Sequence, residues 1–181
     1  MVTVGDYRRI GSVDELLALF ETSKDPVRLI AGGTDLLTRI EPDSDQRVLV
    51  ADIGDVAELA GLVATDKGLR LGAATKLADI EGSGLLCGVL SVLSCGAALV
   101  GSPQIRHLAT IGGNVCNASP AADTVPALLI LDAQAELVSP RGVRTVPLDE
   151  FFAGPGQTVM HPDEFLAALF IPNQPGSSVA T

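Results

Sequence analysis

Between Glu81 and Arg106 the chain carries no charged residue, and Leu85 to Val100 is largely apolar. Such a stretch has two destinations, a bilayer or a packed interior. Its strongly apolar part is shorter than the roughly 20 residues that span a hydrocarbon core. Gly82, Gly84, Gly88, Ser91, Ser94, Gly96 and Gly101 also interrupt it. A buried helix is therefore expected, with the rest of the chain folded around it. With 181 residues, 47% of them apolar and 19% charged, the chain can supply that core. It can do so as one domain or as two small lobes sharing a ligand.

Charge and aromatic content exclude one class of partner. The formal net charge is −10, whereas a nucleic-acid phosphate backbone requires a basic face. Aromatics make up 3% of the chain and Trp is absent, so a base-stacking groove is not expected either. Met1 to Asp6 shows no basic region leading into an apolar run, which argues against a secretory signal and for a cytoplasmic setting. Cys87, Cys95 and Cys116 cannot all pair within one chain and lack C-x-x-C spacing. They read as free, mostly buried thiols.

The chain opens with a capping box, Ser12-Val13-Asp14-Glu15, which starts a helix whose apolar face is Leu16, Leu17, Leu19 and Phe20. Val27 to Ala31 reads as a strand, Asp35 to Arg39 as one or two helical turns, Glu41 to Asp45 as a loop and Arg47 to Ile53 as a strand. Leu62 to Ala64 and Leu69 to Ala73 flank a turn at Asp66-Lys67-Gly68. Thr75 reads as the cap of a helix to about Gly82, and the long apolar helix follows. Thr110 to Asn117 is glycine-rich, and Ala122 to Leu131 is helical. Gln134 to Ser139 and Val143 to Val146 form a hairpin, and Phe165 to Ile171 is a last strand. Residues 1–55 thus read as a small α/β lobe, 56–172 as a second mixed lobe, and 173–181 as a linker-like tail.

Two glycine pairs stand out. Ala31-Gly32-Gly33-Thr34-Asp35-Leu36 follows a strand and precedes a helical stretch, so its peptide N–H groups can receive phosphate oxygens. Thr110-Ile111-Gly112-Gly113-Asn114, with Ser119-Pro120-Ala121-Ala122-Asp123 behind it, offers a second backbone cradle and a carboxylate at a helix start. Either pair alone is far more often a plain turn, and an Asp such as Asp123 at a helix start is more often a cap. Two such loops together suit a pyrophosphate. G-x-G-x-x-G, G-x-x-x-x-G-K-[ST] and G-x-S-x-G are all missing, and His107 and His161 have no neighbours at metal spacing. With no acid–base machinery visible in the side chains, the chemistry points to a bound cofactor.

Four blocks carry a resemblance to the FAD-binding (medium) subunit or domain of molybdenum hydroxylases of the xanthine dehydrogenase and aerobic carbon monoxide dehydrogenase type. They are Ala31–Leu36, Gln104–Asn114, Ala118–Asp123 and Thr158–Leu166, the last followed by Ile171-Pro172. The resemblance implies an α+β fold of two α/β subdomains gripping extended FAD, as in the related vanillyl-alcohol oxidase-like flavoproteins. It implies that Leu29, Ile30, Ala31, Gly32, Gly33, Thr34, Asp35 and Leu36 wrap the pyrophosphate. Thr110, Ile111, Gly112, Gly113 and Asn114 would form a second phosphate and ribityl contact, with Val100 nearby. Asp123 would hydrogen-bond the cofactor, and Leu166 would pack near its adenine or ring edge. Cys116 falls where the family places a residue beside the isoalloxazine, although a small apolar filler would serve as well.

The implied partners are a small [2Fe–2S] subunit and a large molybdopterin subunit, with NAD, a quinone or O2 as the final acceptor. Members of the family continue into a C-terminal domain, so the resemblance implies either a fragment or a short member lacking it. Two other readings stay open: a self-contained flavoenzyme of related fold, and a cofactor-free assembly domain.

Overall fold

The computed structural model describes residues 3–39 and 47–174. The loop expected over Glu41–Asp45 and the tail beyond Gln174 lie outside the described residues. A parallel sheet comes first: β1 (Thr3–Arg9), α1 (Val13–Thr22), β2 (Val27–Ile30) and β3 (Arg47–Asp52), with strand order β1-β3-β2. β3 is central and buries Val48, Leu49, Val50 and Ala51. β1 has no counterpart in the sequence reading. It is an exposed edge strand, and Gly5, Asp6, Arg8 and Arg9 erase the alternation that a half-buried strand shows. At the start of α1, Ser12 Oγ accepts the Glu15 N–H at 3.2 Å. The Glu15 carboxylate reaches past Ser12 to accept the Gly11 N–H at 2.7 Å, one residue beyond the usual box.

The second sheet begins with the expected hairpin of β4 (Leu62–Thr65) and β5 (Gly68–Gly72). Five short helices follow: α2 (Leu77–Glu81), α3 (Ser91–Leu99), α4 (Pro103–Leu108), α5 (Ile111–Cys116) and α6 (Thr124–Ile130). The hairpin of β6 (Gln134–Ser139) and β7 (Gly142–Pro147) leads through α7 (Leu148–Phe151) to a ribbon of β8 (Phe152–Gly154) and β9 (Gln157–Thr158). β10 (Phe165–Pro172) closes an antiparallel sheet in the order β4-β5-β10-β6-β7. The architecture is α+β, as the sequence implies.

β10 explains how the two sheets hold together. It pairs with β5 on one side and β6 on the other, and both its faces are covered. Leu166, Leu169 and Ile171 face the core under α2, α3, α5 and α6. Phe165 and Ala167 instead join Leu16 and Leu19 of α1, and Leu49 and Ala51 of β3. Phe20 stacks on Phe165 with ring centroids 6.3 Å apart. A strand buried on both faces reads as a continuous apolar run, which is why Phe165–Ile171 is easy to see in the sequence.

Three expectations are corrected. The single long apolar helix does not form. The chain turns at Gly88 and Gly101, leaving α3, with Leu93, Gly96 and Ala97 buried while Leu99 is exposed. Because that stretch presents an outward face, Cys87 and Cys95 are exposed rather than buried, and Cys116 is half-buried. Thr75 does not cap α2: Lys76 stands at the N-cap, and the buried Thr75 hydroxyl donates to the Gly61 carbonyl at 3.1 Å. Among the described residues no helix is long and apolar enough to cross a membrane.

Candidate functional site

The loop after β2 leaves the sheet with its donors unspent. From Gly32 to Leu36 the peptide N–H groups have no hydrogen-bond acceptor among the described residues. Its geometry is held instead through carbonyls, Leu37 N–H donating to Gly33 O at 3.1 Å and Thr38 N–H to Asp35 O at 3.2 Å. Gly33 has φ +71, and a left-handed residue within such a turn lets successive N–H vectors converge into an anion-binding concavity. Half-buried N–H groups without a protein partner need water or a bound acceptor to satisfy them. Thr34 is half-buried and its hydroxyl has no partner among the described residues. A diphosphate, with several acceptor oxygens and no donors, fits that set of groups. Leu29, Ile30 and Leu36 support the loop from below: Leu29 packs on the α1–β3 core, and Ile30 and Leu36 on Val48 and Val50.

The second glycine pair is built differently from the cradle read in the sequence. Thr110–Cys116 is not an open loop. Thr110 caps α5, its hydroxyl accepting the Gly113 N–H at 3.1 Å, and the Gly112 N–H donates to Ala73 O at 2.8 Å. Both glycine donors are therefore consumed. A side chain at Gly112 would meet Ala73 Cβ at 2.6 Å, so this glycine lets α5 lie against the end of β5. Ile111 is buried in the core, while Gly113 is exposed and Asn114 half-buried. The Asn114 side-chain oxygen accepts the Thr124 hydroxyl at 2.6 Å. The sequence shows a glycine pair in each case; it does not show that helix capping uses up one of them.

The two loops nevertheless meet. Residues 108–112 run along 73–77, with Leu77 N–H to Ala109 O at 2.9 Å, Ile111 N–H to Thr75 O at 2.9 Å and a bridge between Lys76 and Thr110. Gly32 sits directly on this segment, where an added Cβ would lie 2.3 Å from Leu108 O and 2.8 Å from Ala109 Cα. Gly32→Ala must part main chain from main chain. It is expected to destabilise the protein by about 1–3 kcal/mol, as overpacking does, read as a lowered Tm.

Asn117, which the sequence reading passes over, ties the same surfaces together. Its carbonyl oxygen accepts from Arg39 Nη2 at 2.7 Å, and its amide donates to Asp35 Oδ1 at 3.2 Å. Asp123 opens α6 without capping it; its carboxylate is exposed and has no partner among the described residues. Ala118, Ser119, Pro120 and Ala122 line, with Phe152 and Pro155, an apolar groove of ≈ 330 Å³. Cys116 sits in α5 with its thiol pushed up to about 12 by burial, so it stays protonated. Val100 is the C-cap of the helix that precedes α4, and Leu166 is a core residue of β10, 4% exposed. His107 and His161 are exposed, and among the described residues no cluster could hold a metal ion.

The blocks beyond the glycines prove to be supports. Arg106, 11% exposed, grips both oxygens of Glu81 at 2.7 and 3.3 Å and donates to Val100 O at 3.3 Å, fixing α4 to α2. Glu164 is buried and receives Arg144 Nε and Nη2, each at 2.8 Å, and the His161 N–H at 2.8 Å. The Arg144 guanidinium holds its carboxyl down at about 2, against opposition from desolvation.

Known proteins place this arrangement. Residues 3–174 match the family described as the FAD binding domain in molybdopterin dehydrogenase. The chain is 36% identical over 182 residues to the xanthine dehydrogenase FAD-binding subunit of Escherichia coli O157:H7, covering 100% of this chain and 62% of that protein. It is 31% identical over 170 residues to the carbon monoxide dehydrogenase medium chain of Afipia carboxidovorans, covering 94% and 59% respectively. The crystal structure of a Cu,Mo-CO dehydrogenase superposes with a TM-score of 0.87 at 31% identity, over 97% of this chain and 61% of that one. The chain thus spans about three fifths of the length of these relatives. A match that takes in both sheets and both glycine loops leaves one conclusion: the chain belongs to the family of FAD-binding domains of molybdopterin dehydrogenases.

Proposed function

We propose that this chain binds FAD and is the flavin-holding part of an electron-transfer subunit in a molybdenum-containing hydroxylase. The observation that carries the proposal is the row of N–H groups from Gly32 to Leu36 without a partner among the described residues, packed through Gly32 against Leu108–Ala109. In this reading residues 1–55 and 56–172 act as two units closing on one cofactor. Ala31 to Leu36 take the diphosphate, and Thr34 adds a hydroxyl. Exposed Gly113 and the neighbouring Asn114 offer a bare surface to the ribityl chain, and Asp123 supplies an acceptor for a cofactor hydroxyl or ring N–H. The bound flavin would supply the redox chemistry, taking up electrons singly and releasing a pair. The chain's own residues bind and orient it; none is required to move a proton.

The partners in this reading are a [2Fe–2S] subunit and a molybdopterin subunit, and the acceptor is NAD, a quinone or O2. The names of the relatives, xanthine dehydrogenase FAD-binding subunit and carbon monoxide dehydrogenase medium chain, support the complex. Purified protein is expected to be yellow, with absorbance over roughly 350–500 nm and FAD released on denaturation. A colourless protein that takes up no FAD yet copurifies with an iron–sulfur subunit would instead identify an assembly domain. Asp123→Ala should weaken FAD binding by about tenfold or less, the worth of about one hydrogen bond. Fluorescence titration of the apoprotein measures this.

A further inference from the structure

We infer that Asn117 is a positioning residue for the loop Gly32–Leu36, and that cofactor affinity depends on its joint hold on Asp35 and Arg39; this rests on the FAD-binding reading above. Asp35 and Arg39 belong to the first sheet's connection, whereas Asn117 ends α5 beneath the second. Its single amide group spans them, accepting from Arg39 at 2.7 Å and donating to Asp35 at 3.2 Å. The direct Arg39–Asp35 approach is only 4.0 Å, on side chains that are 60% and 52% exposed, where an ion pair does little to fix geometry.

The chemistry of the loop makes this hold consequential. A carboxylate among N–H groups that await a diphosphate would compete for those donors and repel the ligand. The Asn117 amide holds Asp35 Oδ1 from outside the loop, and Arg39 stays beside it as compensating charge. The chain also spends conformational energy at this point. Ala118, immediately after Asn117, takes φ +47, a left-handed conformation unfavourable for alanine. It is held there by its N–H donating to Val115 O at 3.0 Å and its carbonyl accepting the Gly156 N–H at 2.8 Å. Strain of this kind persists where the surroundings hold it, as these two hydrogen bonds do at the residue next to Asn117.

A charge-swap cycle tests the inference on the apoprotein, with FAD affinity and thermal midpoint as readouts. Asn117→Asp keeps the acceptor for Arg39 but sets a carboxylate against Asp35. Asp35→Asn combined with Asn117→Asp restores one donor and one acceptor with the roles exchanged. We expect Asn117→Asp to weaken FAD binding by about tenfold or more in the wild-type background and by about threefold or less beside Asp35→Asn, a coupling expected of residues in contact. The apoprotein midpoints should stay together, since every group involved is at least partly exposed. Equal effects of Asn117→Asp in both backgrounds, or none in either, would overturn the inference while leaving FAD binding intact. A wild-type chain that binds no FAD would overturn the reading of the site as well.

Discussion

Gly33→Val is expected to yield a folded chain that no longer holds FAD, with affinity lowered by about 100-fold or more. At φ +71 a β-branched residue is a steric outlier. Keeping it there costs about 1–2 kcal/mol. The added Cβ would meet only the ends of the Leu37 and Ile30 side chains, at 3.1 and 3.3 Å, and both can yield. The fold therefore survives, while the loop relaxes out of the conformation that converges its N–H groups. The contrast with Gly32→Ala is diagnostic. There the obstruction is main chain, at Leu108 and Ala109, so stability should fall together with binding. The comparison needs a far-UV spectrum, a thermal midpoint and a flavin titration on each variant. Unchanged flavin occupancy in folded Gly33→Val would remove the diphosphate from this loop.

The second large effect is expected at Glu164, far from the glycines in sequence. Its side chain is 4% exposed and serves Arg144 on β7 and the turn before β10 at once. Arg144 also donates to Val159 O at 2.9 Å, so the pair pins residues 159–161 to the sheet. Glu164→Ala removes the partner of a guanidinium that is 40% exposed and can turn to solvent, and also frees the His161 N–H, so it should cost about 1–3 kcal/mol, lowering the thermal midpoint by several degrees. The pH dependence has a definite sign. The folded carboxyl titrates at about 2, below the ordinary 4.5, so the unfolded chain binds the proton more readily. This contribution is complete above pH 4.5 and disappears as pH falls toward 2. Allowing for the partial exposure of Arg144, it amounts to about 2 kcal/mol. Denaturation midpoints measured across that window should drop steeply in the wild type and more gently in Glu164→Gln.

How much of this was legible beforehand depended on what each residue's signal reports. Period and turn chemistry report local structure. The α1 capping box, the β4–β5 and β6–β7 turns and the apolar run of β10 could be read directly. Signals that depend on tertiary surroundings could not. β1 is too polar to look like a strand because it forms a sheet edge, and the uncharged stretch looks like one helix because its glycines, though visible, do not show which of them turn the chain, as Gly88 and Gly101 do, and which lie within a helix, as Gly96 does. At the site, the first glycine pair lies, as read, in a turn between a strand and a short helical stretch. The second is not the cradle read in the sequence, because Thr110 and Ala73 take up its N–H groups, and only the partner list distinguishes a cradle from a cap. Asn117, Arg106 and Glu164 act by linking segments distant in sequence, for which a single sequence carries no local mark.

A diphosphate held by the main-chain N–H groups of one loop is tested most directly by amide chemical shifts. In a ¹⁵N-labelled apoprotein titrated separately with FAD, ADP and riboflavin, the resonances of Gly32, Gly33, Thr34 and Asp35 should move with FAD and ADP and stay fixed with riboflavin. Movement of these amides with riboflavin alone, or their indifference to all three ligands while the protein binds FAD, would contradict the account.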